Sequence, residues 1–222
     1  MNKYAVIVAG GTGTRMGSDL PKQFLPLNGK PVLYYTIKTF TDTFADLKTI
    51  LVLPAIHLET GKKLINEYFD KKSIQLIAGG ETRFQSVKNG LLLIEKESII
   101  FVHDGVRCLL SEDLIRRCYD MAFDGGSAIP VITSRDSVRL LKENNSEVID
   151  RDKVMLVQTP QTFHSKILLP AFQIDYKEKF TDEATVVEAY GIKVSLVEGE
   201  ENNIKITKPI DLLFAEAILA QR

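Results

Sequence analysis

A glycine-rich segment near the start of the chain carries the first residues whose types and spacing could do chemistry. It directly follows an apolar run, and its members that could contact a ligand are Ala9, Gly10, Gly11 and Gly13. Glycines just past a strand let backbone N–H groups approach a phosphate closely. Arg15 lies within the segment and Lys22 follows it, so two cations stand near those amides. The segment predicts a cradle for a triphosphate, and the alternative is a tight strand-to-helix turn without a ligand.

Two well-known phosphate-binding loops do not fit this segment. A P-loop would end in Gly-Lys-Ser/Thr, which is missing here. A dinucleotide fingerprint would need a third glycine at Met16 and an acidic residue at the end of the second strand. The second apolar run ends instead in Leu53, Pro54 and Ala55. Any nucleotide bound here is therefore held by a different kind of loop.

Three charged residues further along the chain suit phosphate chemistry. Asp104 ends an apolar run, at the strand edge where parallel sheets bind ligands, and its carboxylate could hold Mg²⁺ or merely cap the turn. The guanidinium of Arg107 matches a phosphate with two N–H groups. Lys205 alternates with Ile204 and Ile206, so it points away from the core as a ligand contact or as a solvated charge.

The elements that must position these residues alternate along the chain. Strand candidates, rich in Val and Ile, are Tyr4–Ala9, Thr49–Leu53, Ile74–Ala78, Ile99–His103, Ser127–Ile132 and Lys193–Val197. Helical patterns lie near Val32–Phe40, Glu59–Phe69, Phe84–Glu95 and Leu114–Phe123. Strands with continuous apolar runs are covered on both faces. The pattern predicts an α/β fold with a mostly parallel sheet flanked by helices.

Two further segments have distinctive patterns. A last helix is predicted with Thr207 as its cap and one apolar stripe, Ile210, Leu213, Phe214, Ala217 and Ile218. Residues 136–150 interrupt the alternation with two short strand-like pieces around an Asn144-Asn145 turn. We expect a protruding β-hairpin arm there. No linker brackets it, so residues 1–222 are interpreted as a single domain.

Composition narrows the function classes. The 222 residues include 28 Lys and Arg against 29 Asp and Glu, a formal net charge of −1, which argues against bulk nucleic-acid binding. The apolar runs are too short for a membrane span, and the first one leads into glycines rather than a signal-peptide cleavage site. Two cysteines fit neither a disulfide framework nor a zinc site. We therefore expect a reduced, cytoplasmic protein.

Several motifs in one order carry a family resemblance. After the glycine segment and Pro-Lys-Gln, they are Gly79-Gly80-Glu81-Thr82-Arg83, His103-Asp104-Gly105-Val106-Arg107, Gln158-Thr159-Pro160-Gln161, Thr181-Asp182-Glu183-Ala184 and Asn203-Ile204-Lys205-Ile206-Thr207. The chain resembles the nucleotide-sugar pyrophosphorylase and cytidylyltransferase superfamily. Within it, essentially the whole chain is similar to the 2-C-methyl-D-erythritol 4-phosphate cytidylyltransferase family. That resemblance implies a Rossmann-like sheet.

The resemblance also implies roles for single residues. Catalytic cations would be Arg15, Lys22 and Lys205, with Asp104 holding Mg²⁺. Nucleotide contacts would be Ala9, Gly10, Gly11, Gly13, Gly80, Glu81, Arg83, Ser86 and Gly105. Acceptor contacts would be Arg107, Ser137, Arg151, Thr159 and Thr181. The chain departs from the family at Glu81, where Asp is usual, at Ser137, where Thr is usual, and at Cys108, where Pro is common.

The implied reaction joins CMP from CTP to a polyol phosphate and releases pyrophosphate. The acceptor's phosphate is already anionic at neutral pH, because its second pKa is about 6. No general base is therefore needed, and the work consists of positioning and charge neutralisation. Alternatives are a cytidylyltransferase for another polyol phosphate, such as ribitol 5-phosphate, and a non-catalytic nucleotide sensor.

The hairpin arm predicts a homodimer. A two-stranded hairpin is marginal alone in water, and its residues Val138, Leu140, Val148 and Ile149 form an apolar surface that a second copy could cover. The resemblance places Ser137 and the residue at the other foot of the arm, Arg151, at the partner's acceptor site. The alternative is that the arm folds back and Arg151 is a surface charge.

Overall fold

The computed structural model describes residues 1–11, 17 and 20–222, and its centre is an eight-stranded sheet. The strands of this sheet are β1 (Asn2–Val8), β4 (Lys48–Leu53), β5 (Ile74–Ala78), β6 (Ser98–Asp104), β7 (Ser127–Thr133), β10 (Met155–Val157), β11 (Gln161–His164) and β12 (Leu196–Glu198). Their order is β10-β7-β11-β6-β1-β4-β5, and β12 pairs with β7. Two small hairpins complete the strands: β2 (Pro26–Leu27) with β3 (Lys30–Pro31), and β8 (Val138–Leu141) with β9 (Ser146–Ile149).

Helices cover both faces of the sheet, as the sequence predicts. They are α1 (Val32–Thr43), α2 (Leu58–Tyr68), α3 (Arg83–Leu91), α4 (Glu112–Gly125), α5 (Ser165–Ala171), α6 (Glu183–Ala189) and α7 (Pro209–Leu219). One core cluster packs α3, α5 and α6 on one face of the sheet, and another packs α1, α2 and α4 on the other. The predicted α/β class with a helix-flanked sheet is confirmed.

The parallel strands bring three loops to one edge. Strand β1 lies between β4 and β6, parallel to both, and its register sets Val8 beside Asp104. Where the strands end, backbone bonds continue: the N–H of Gly105 donates to the carbonyl of Val8, and the N–H of Gly79 donates to that of Leu53. The glycine segment, the Gly79 loop and the Asp104 loop therefore meet at the carboxyl edge of the sheet.

The antiparallel part of the sheet was not predicted. Strands β10 and β11 run antiparallel to β7, and a cis peptide bond between Thr159 and Pro160 lies between them. The expected strand Lys193–Val197 is shifted, since the observed β12 is Leu196–Glu198. Strands of three or four residues show too few side chains for a recognisable period, which is why the sequence pattern missed them.

The predicted arm is present as β8 and β9. The strands pair in the register Val138 to Ile149 through Leu141 to Ser146, and in the described chain they form a sheet of their own. Leu141 is 84% exposed and Val148 is 66% exposed. The pairing places Val138, Leu140 and Ile149 on one face of the arm and Val148 with Leu141 on the other, so the prediction of one shared surface is wrong. Both faces carry apolar side chains that are open to solvent in this chain.

The last helix forms, but its predicted cap is wrong. The residue at the N-cap is Lys208, while Thr207 donates from its N–H and its hydroxyl to the carboxylate of Asp211, at 2.7 and 2.9 Å. Asp211 thus closes the first turn from within the helix. Of the helix residues only Ala215 is buried, and Phe214 on the predicted stripe is 55% exposed.

Within the described residues, no helix combines the length and the apolar character that crossing a membrane requires.

Candidate active site

A cavity of about 460 Å³ opens at the carboxyl edge of the parallel strands. Its lining contains the predicted residues Ala9, Gly10, Gly11, Lys22, Gly80, Glu81, Arg83, Ser86, Asp104 and Lys205. These residues come from five separate parts of the chain, and the ends of β1, β5 and β6 bring most of them together. Gly13 and Arg15 lie outside the described residues. Most of the predicted nucleotide and catalytic positions thus share one pocket.

Lys22 is buried in the wall of this pocket. Lys22 begins a short 3-10 turn, Lys22–Phe24, directly after Pro21. Its ammonium donates to the carbonyl of Ile206 at 3.0 Å. Gly11 lies next to this side chain, since a Cβ on it would be in van der Waals contact with the Lys22 Cε at 3.4 Å. Next to Lys22, the amide of Gln23 donates to the carbonyl of Ala9 and so fixes the start of the glycine segment. Lys22 and the chain around Lys205 are therefore directly joined.

Asp104 lies between two cations. Its Oδ1 accepts from the Nε of Arg83 at 3.1 Å, and its Oδ2 pairs with the ammonium of Lys205 at 2.7 Å. Burial by itself would raise the pKa of the Asp104 carboxyl, but the charges of Arg83 and Lys205 hold that pKa below its usual value. The side chain is an ionised carboxylate at neutral pH.

The carboxylate of Asp104 is the predicted ligand of Mg²⁺. The described residues contain no cluster of three or more His, Cys, Asp or Glu that could enclose a metal ion. Asp104 presents one ionised carboxylate at the pocket wall, and Mg²⁺ often takes one or two carboxylates with substrate phosphates completing its shell. The donor set fits an ion that arrives with a nucleotide and does not fit a permanent metal centre.

The loop after β5 is built from side-chain bonds and close packing. Thr82 begins α3 with a capping box in which its hydroxyl and Gln85 bond reciprocally to the backbone. A Cβ on Gly80 would lie 2.5 Å from the Cβ of Gln85, so only glycine fits. The hydroxyl of Ser86 donates to the carbonyl of Thr82 at 2.9 Å and accepts from the N–H of Gly80 at 3.1 Å. Ser86 is therefore a buried support of the loop.

Arg83 connects this loop to a residue for which the sequence predicts no role. Both of its terminal nitrogens contact the carboxylate of Glu183, and the Nη2–Oε2 distance is 3.1 Å. Glu183 is 1% exposed and begins α6. In the sequence, Glu183 stands two residues after the predicted acceptor residue Thr181, but no local pattern indicates that it pairs with a residue 100 positions away.

A second network lies behind Asp104. The N–H of Asp104 donates to the Thr159 hydroxyl at 3.1 Å, and that hydroxyl lies 3.1 Å from the Nδ1 of His103. The Nε2 of His103 lies 3.1 Å from the carbonyl of Arg107. Burial lowers the pKa of His103 to about 3, so its ring is neutral. The neutral ring donates from Nε2 to the Arg107 carbonyl and accepts at Nδ1 from the Thr159 hydroxyl. His103, for which the sequence predicts no role, thus positions the residues behind Asp104.

The predicted acceptor residues are not brought together within one chain. Ser137, Arg151 and Thr181 are exposed and absent from the pocket lining. Arg107 turns to the backbone, where its Nη1 donates to the carbonyl of Asn203 at 2.8 Å.

Two other residues predicted to contact substrates, Thr159 and Gly105, have structural roles. The Thr159 hydroxyl is used by the network behind Asp104. Gly105 is buried, and a Cβ there would lie 2.9 Å from the Cβ of Ala9. Gly105 thus permits the close approach of two loops.

Comparison with curated proteins gives full-length matches. Over 219 residues the chain is 46% identical to the 2-C-methyl-D-erythritol 4-phosphate cytidylyltransferase of Bacteroides thetaiotaomicron, covering 99% of this chain and 100% of that protein. The protein of the same name from Bacteroides fragilis is 47% identical over 220 residues, with coverage of 99% and 100%.

Solved structures agree in fold over the full length. The 4-diphosphocytidyl-2C-methyl-D-erythritol synthase of Anaerococcus prevotii superposes with a TM-score of 0.84 at 28% identity, covering 100% of this chain and 99% of that one. The 2-C-methyl-D-erythritol 4-phosphate cytidylyltransferase of Thermus thermophilus superposes with a TM-score of 0.77 at 30% identity, covering all of both chains. The family model of IspD, 2-C-methyl-D-erythritol 4-phosphate cytidylyltransferase, matches residues 4–221. A pocket that gathers cations at the edge of a parallel sheet, full-length relatives and a matching family model lead to one conclusion: the chain belongs to the 2-C-methyl-D-erythritol 4-phosphate cytidylyltransferase family.

Proposed function

We propose that the pocket at the carboxyl edge carries out the family's cytidylyl transfer, with Lys22, Lys205 and Asp104 as its central charges. The reaction transfers CMP from CTP to 2-C-methyl-D-erythritol 4-phosphate, releases pyrophosphate and forms 4-diphosphocytidyl-2-C-methyl-D-erythritol, a step of isoprenoid precursor synthesis. The observation that carries this proposal is the joining of Lys22, Lys205 and Asp104 in one cavity of nucleotide size.

The chemistry needs no base from the protein. A phosphomonoester oxygen of the acceptor attacks the α-phosphorus of CTP, a bond forms between them, and the bond to the pyrophosphate oxygen breaks. The attacking group is anionic near neutral pH because its second pKa is about 6. His103 is buried and neutral behind Asp104, so it serves structure rather than proton transfer.

The two lysines neutralise charge where it develops. Lys205 is partly exposed at the pocket, and its flexible stem lets its ammonium reach a phosphate oxygen there. Lys22 is held by the carbonyl of Ile206, directly beside Lys205. Both ammonium groups thus reach the same wall, where they can oppose the negative charge around the α-phosphorus. Arg15, outside the described residues, is assigned the same task by family resemblance.

Asp104 is the residue that would hold Mg²⁺. When bound, the ion would draw charge from the phosphates of CTP and orient them. The carboxylate is ionised and faces the pocket, and Arg83 fixes its Oδ1 side. The protein's own contribution is therefore an oriented carboxylate whose position is determined before the nucleotide arrives.

The nucleotide's base would contact the Gly79–Gly80 loop. Gly80 is exposed at the pocket, while its N–H is supported by Ser86 and its conformation by the Thr82 cap. A rigid loop with fixed backbone donors and acceptors discriminates against a base with a different edge, because mismatched groups stay unpaired. Glu81, which stands where the family usually has Asp, lies at the rim of the same pocket.

The acceptor site would be completed in a homodimer through the hairpin arm. Ser137 and Arg151 stand at the two feet of the arm, exposed and away from their own chain's pocket. The apolar surface of the arm needs cover, and a second copy is the simplest one. In that arrangement each arm brings its Arg151 to the acceptor phosphate of the partner's pocket.

The proposed activity is tested by measuring pyrophosphate release from CTP with a panel of acceptors. We expect release with 2-C-methyl-D-erythritol 4-phosphate and at least about 100-fold less with ribitol 5-phosphate, since polar sites reject analogues that leave buried groups unpaired. Equal use of both acceptors would contradict the acceptor assignment. Binding of CTP without release for any acceptor would favour a nucleotide sensor.

Removing the ammonium of Lys205 should slow the chemical step. We expect Lys205→Ala to lower kcat at least about 100-fold, the scale of a lost electrostatic contact in the transition state. The fold should persist, because the Lys205 side chain is 41% exposed. Lys193→Ala, at an exposed lysine outside the pocket lining, serves as the matched control. Normal turnover by the Lys205 variant would refute the proposed role of this cation.

Asp104→Asn separates the metal role from a purely structural one. The variant keeps the size of the side chain and the backbone bond to Thr159, but it removes the charge that would attract Mg²⁺. We expect activity to fall and the Mg²⁺ concentration for half-maximal rate to rise about tenfold or more. A Mg²⁺ titration of both proteins checks this, and superimposable curves would favour the capping alternative.

The shared acceptor site predicts complementation between two inactive proteins. Lys22→Ala lacks a cation of the pocket and Arg151→Ala lacks the residue offered by the arm. Co-refolded in equal amounts they should recover about a quarter of wild-type activity, since half of random pairs are mixed and each mixed pair has one intact site. Lys153→Ala, near the same foot of the arm, replaces Arg151→Ala in the control. No recovery in confirmed mixed dimers would show that each site uses its own arm.

A further inference from the structure

Glu183 is a carboxylate buried without an assigned function. It is 1% exposed, and its two oxygens face the guanidinium of Arg83. Burying a carboxylate is unfavourable unless a counter-charge and good hydrogen bonds compensate. Burial raises the pKa of Glu183, and the adjacent charge of Arg83 limits that rise. The burial of the Glu183 carboxylate against Arg83 must therefore be explained by the residues around it.

The start of α6 does not supply that reason. Asp182 already caps the helix, since its Oδ1 accepts from the N–H of Thr185 at 2.9 Å and its Oδ2 accepts from the amide of Gln161 at the same distance. The other end of that amide accepts from the N–H of Ala184 at 2.8 Å. The first turn is therefore fixed without the side chain of Glu183.

The geometry around Arg83 supplies the reason. Each nitrogen of its guanidinium has a carboxylate partner: Nη1 and Nη2 contact Glu183, and Nε contacts Asp104 at 3.1 Å. With Lys205 on the other oxygen of Asp104, the four side chains form a row of alternating sign with no net charge. Glu183 thus pairs with the two terminal nitrogens of Arg83, and in this orientation Asp104 receives a single contact, from Nε.

A guanidinium without that partner would behave differently. Arginine prefers to meet a carboxylate with two parallel N–H bonds. Freed from Glu183, Arg83 could turn its fork onto Asp104, which would then be the only counter-charge for two cations. Both oxygens of Asp104 would be held more tightly, and a metal ion arriving with the nucleotide would have to displace an arginine and a lysine.

We propose that Glu183 is a positioning residue that holds Arg83 in a single contact with Asp104 and so keeps one edge of that carboxylate available for Mg²⁺ and the nucleotide phosphates. The inference rests on the role of Asp104 in the proposed function. Thr181 stands two residues before Glu183, so the same turn links the predicted acceptor residues to the metal-binding carboxylate.

Glu183→Gln tests the proposal by removing the charge and keeping the shape. We expect about a 10- to 100-fold rise in the Mg²⁺ requirement, the usual effect of changing a partner behind a metal ligand. The Kd of CTP in the presence of Mg²⁺, measured by calorimetry without acceptor, should weaken by a similar factor. Glu188→Gln makes the same change at an exposed site on α6 and should alter neither value.

A double variant distinguishes positioning from general damage. Arg83→Gln combined with Glu183→Gln also removes the guanidinium that would otherwise turn onto Asp104. The Mg²⁺ requirement of the double variant should therefore be lower than that of Glu183→Gln alone. A role in folding alone would lower the thermal midpoint and leave the Mg²⁺ curve and the CTP affinity of the folded protein unchanged. That result for Glu183→Gln would overturn the proposal.

Two controls keep the outcome clear. If Glu183→Gln does not fold, Glu183→Asp keeps the charge but retracts it by one methylene, and an unchanged Mg²⁺ requirement in that variant would equally refute positioning. Asp104→Asn identifies failure of the underlying function: if its Mg²⁺ curve shifts while the Glu183 variants match the wild type, the proposed function stands and only the role of Glu183 falls.

Discussion

The site depends on one buried carboxylate, Asp104, held between Arg83 and Lys205. A charge at this depth is tolerated only with close counter-charges, and the two cations come from segments about 20 residues before it and 100 residues after it. The fold must therefore bring the start of α3, the end of β6 and the segment before α7 to the same point. The parallel strands do this by ending together at one edge, so the sheet and the charge pairing depend on each other.

Behind that carboxylate lies a second, uncharged layer. His103, Thr159 and the carbonyl of Arg107 form a directed chain of hydrogen bonds in which the neutral ring is donor at one nitrogen and acceptor at the other. Burial keeps the ring neutral, since its pKa is lowered to about 3. The backbone of Asp104 is thus fixed by neutral groups while its carboxylate is fixed by charged ones.

The sequence predicts those strands and helices that a local pattern of residues marks. Buried parallel strands such as β1 and β6 have continuous apolar runs, so their ends, and with them the glycine segment and Asp104, could be located in advance. Short antiparallel strands such as β10 carry no period, and the cap of the last helix was assigned to Thr207 although Asp211 takes over its hydrogen bonds. Local patterns decide the first kind of feature and tertiary packing decides the second.

The same division applies within the site. Residue type marked Asp104 and Lys205 as candidates and the family resemblance gave them roles, whereas Glu183 and the support given by Ser86 depend on partners that only the folded chain brings near. Four alternating charges cannot be read from a sequence, because each looks like an ordinary surface ion until its partner is known. Their arrangement also ties α6 to the carboxyl edge of the sheet. Glu183 at the start of α6 holds the terminal nitrogens of Arg83, and the Nε of the same arginine holds Asp104, so a shift of α6 would reach Asp104 through one guanidinium.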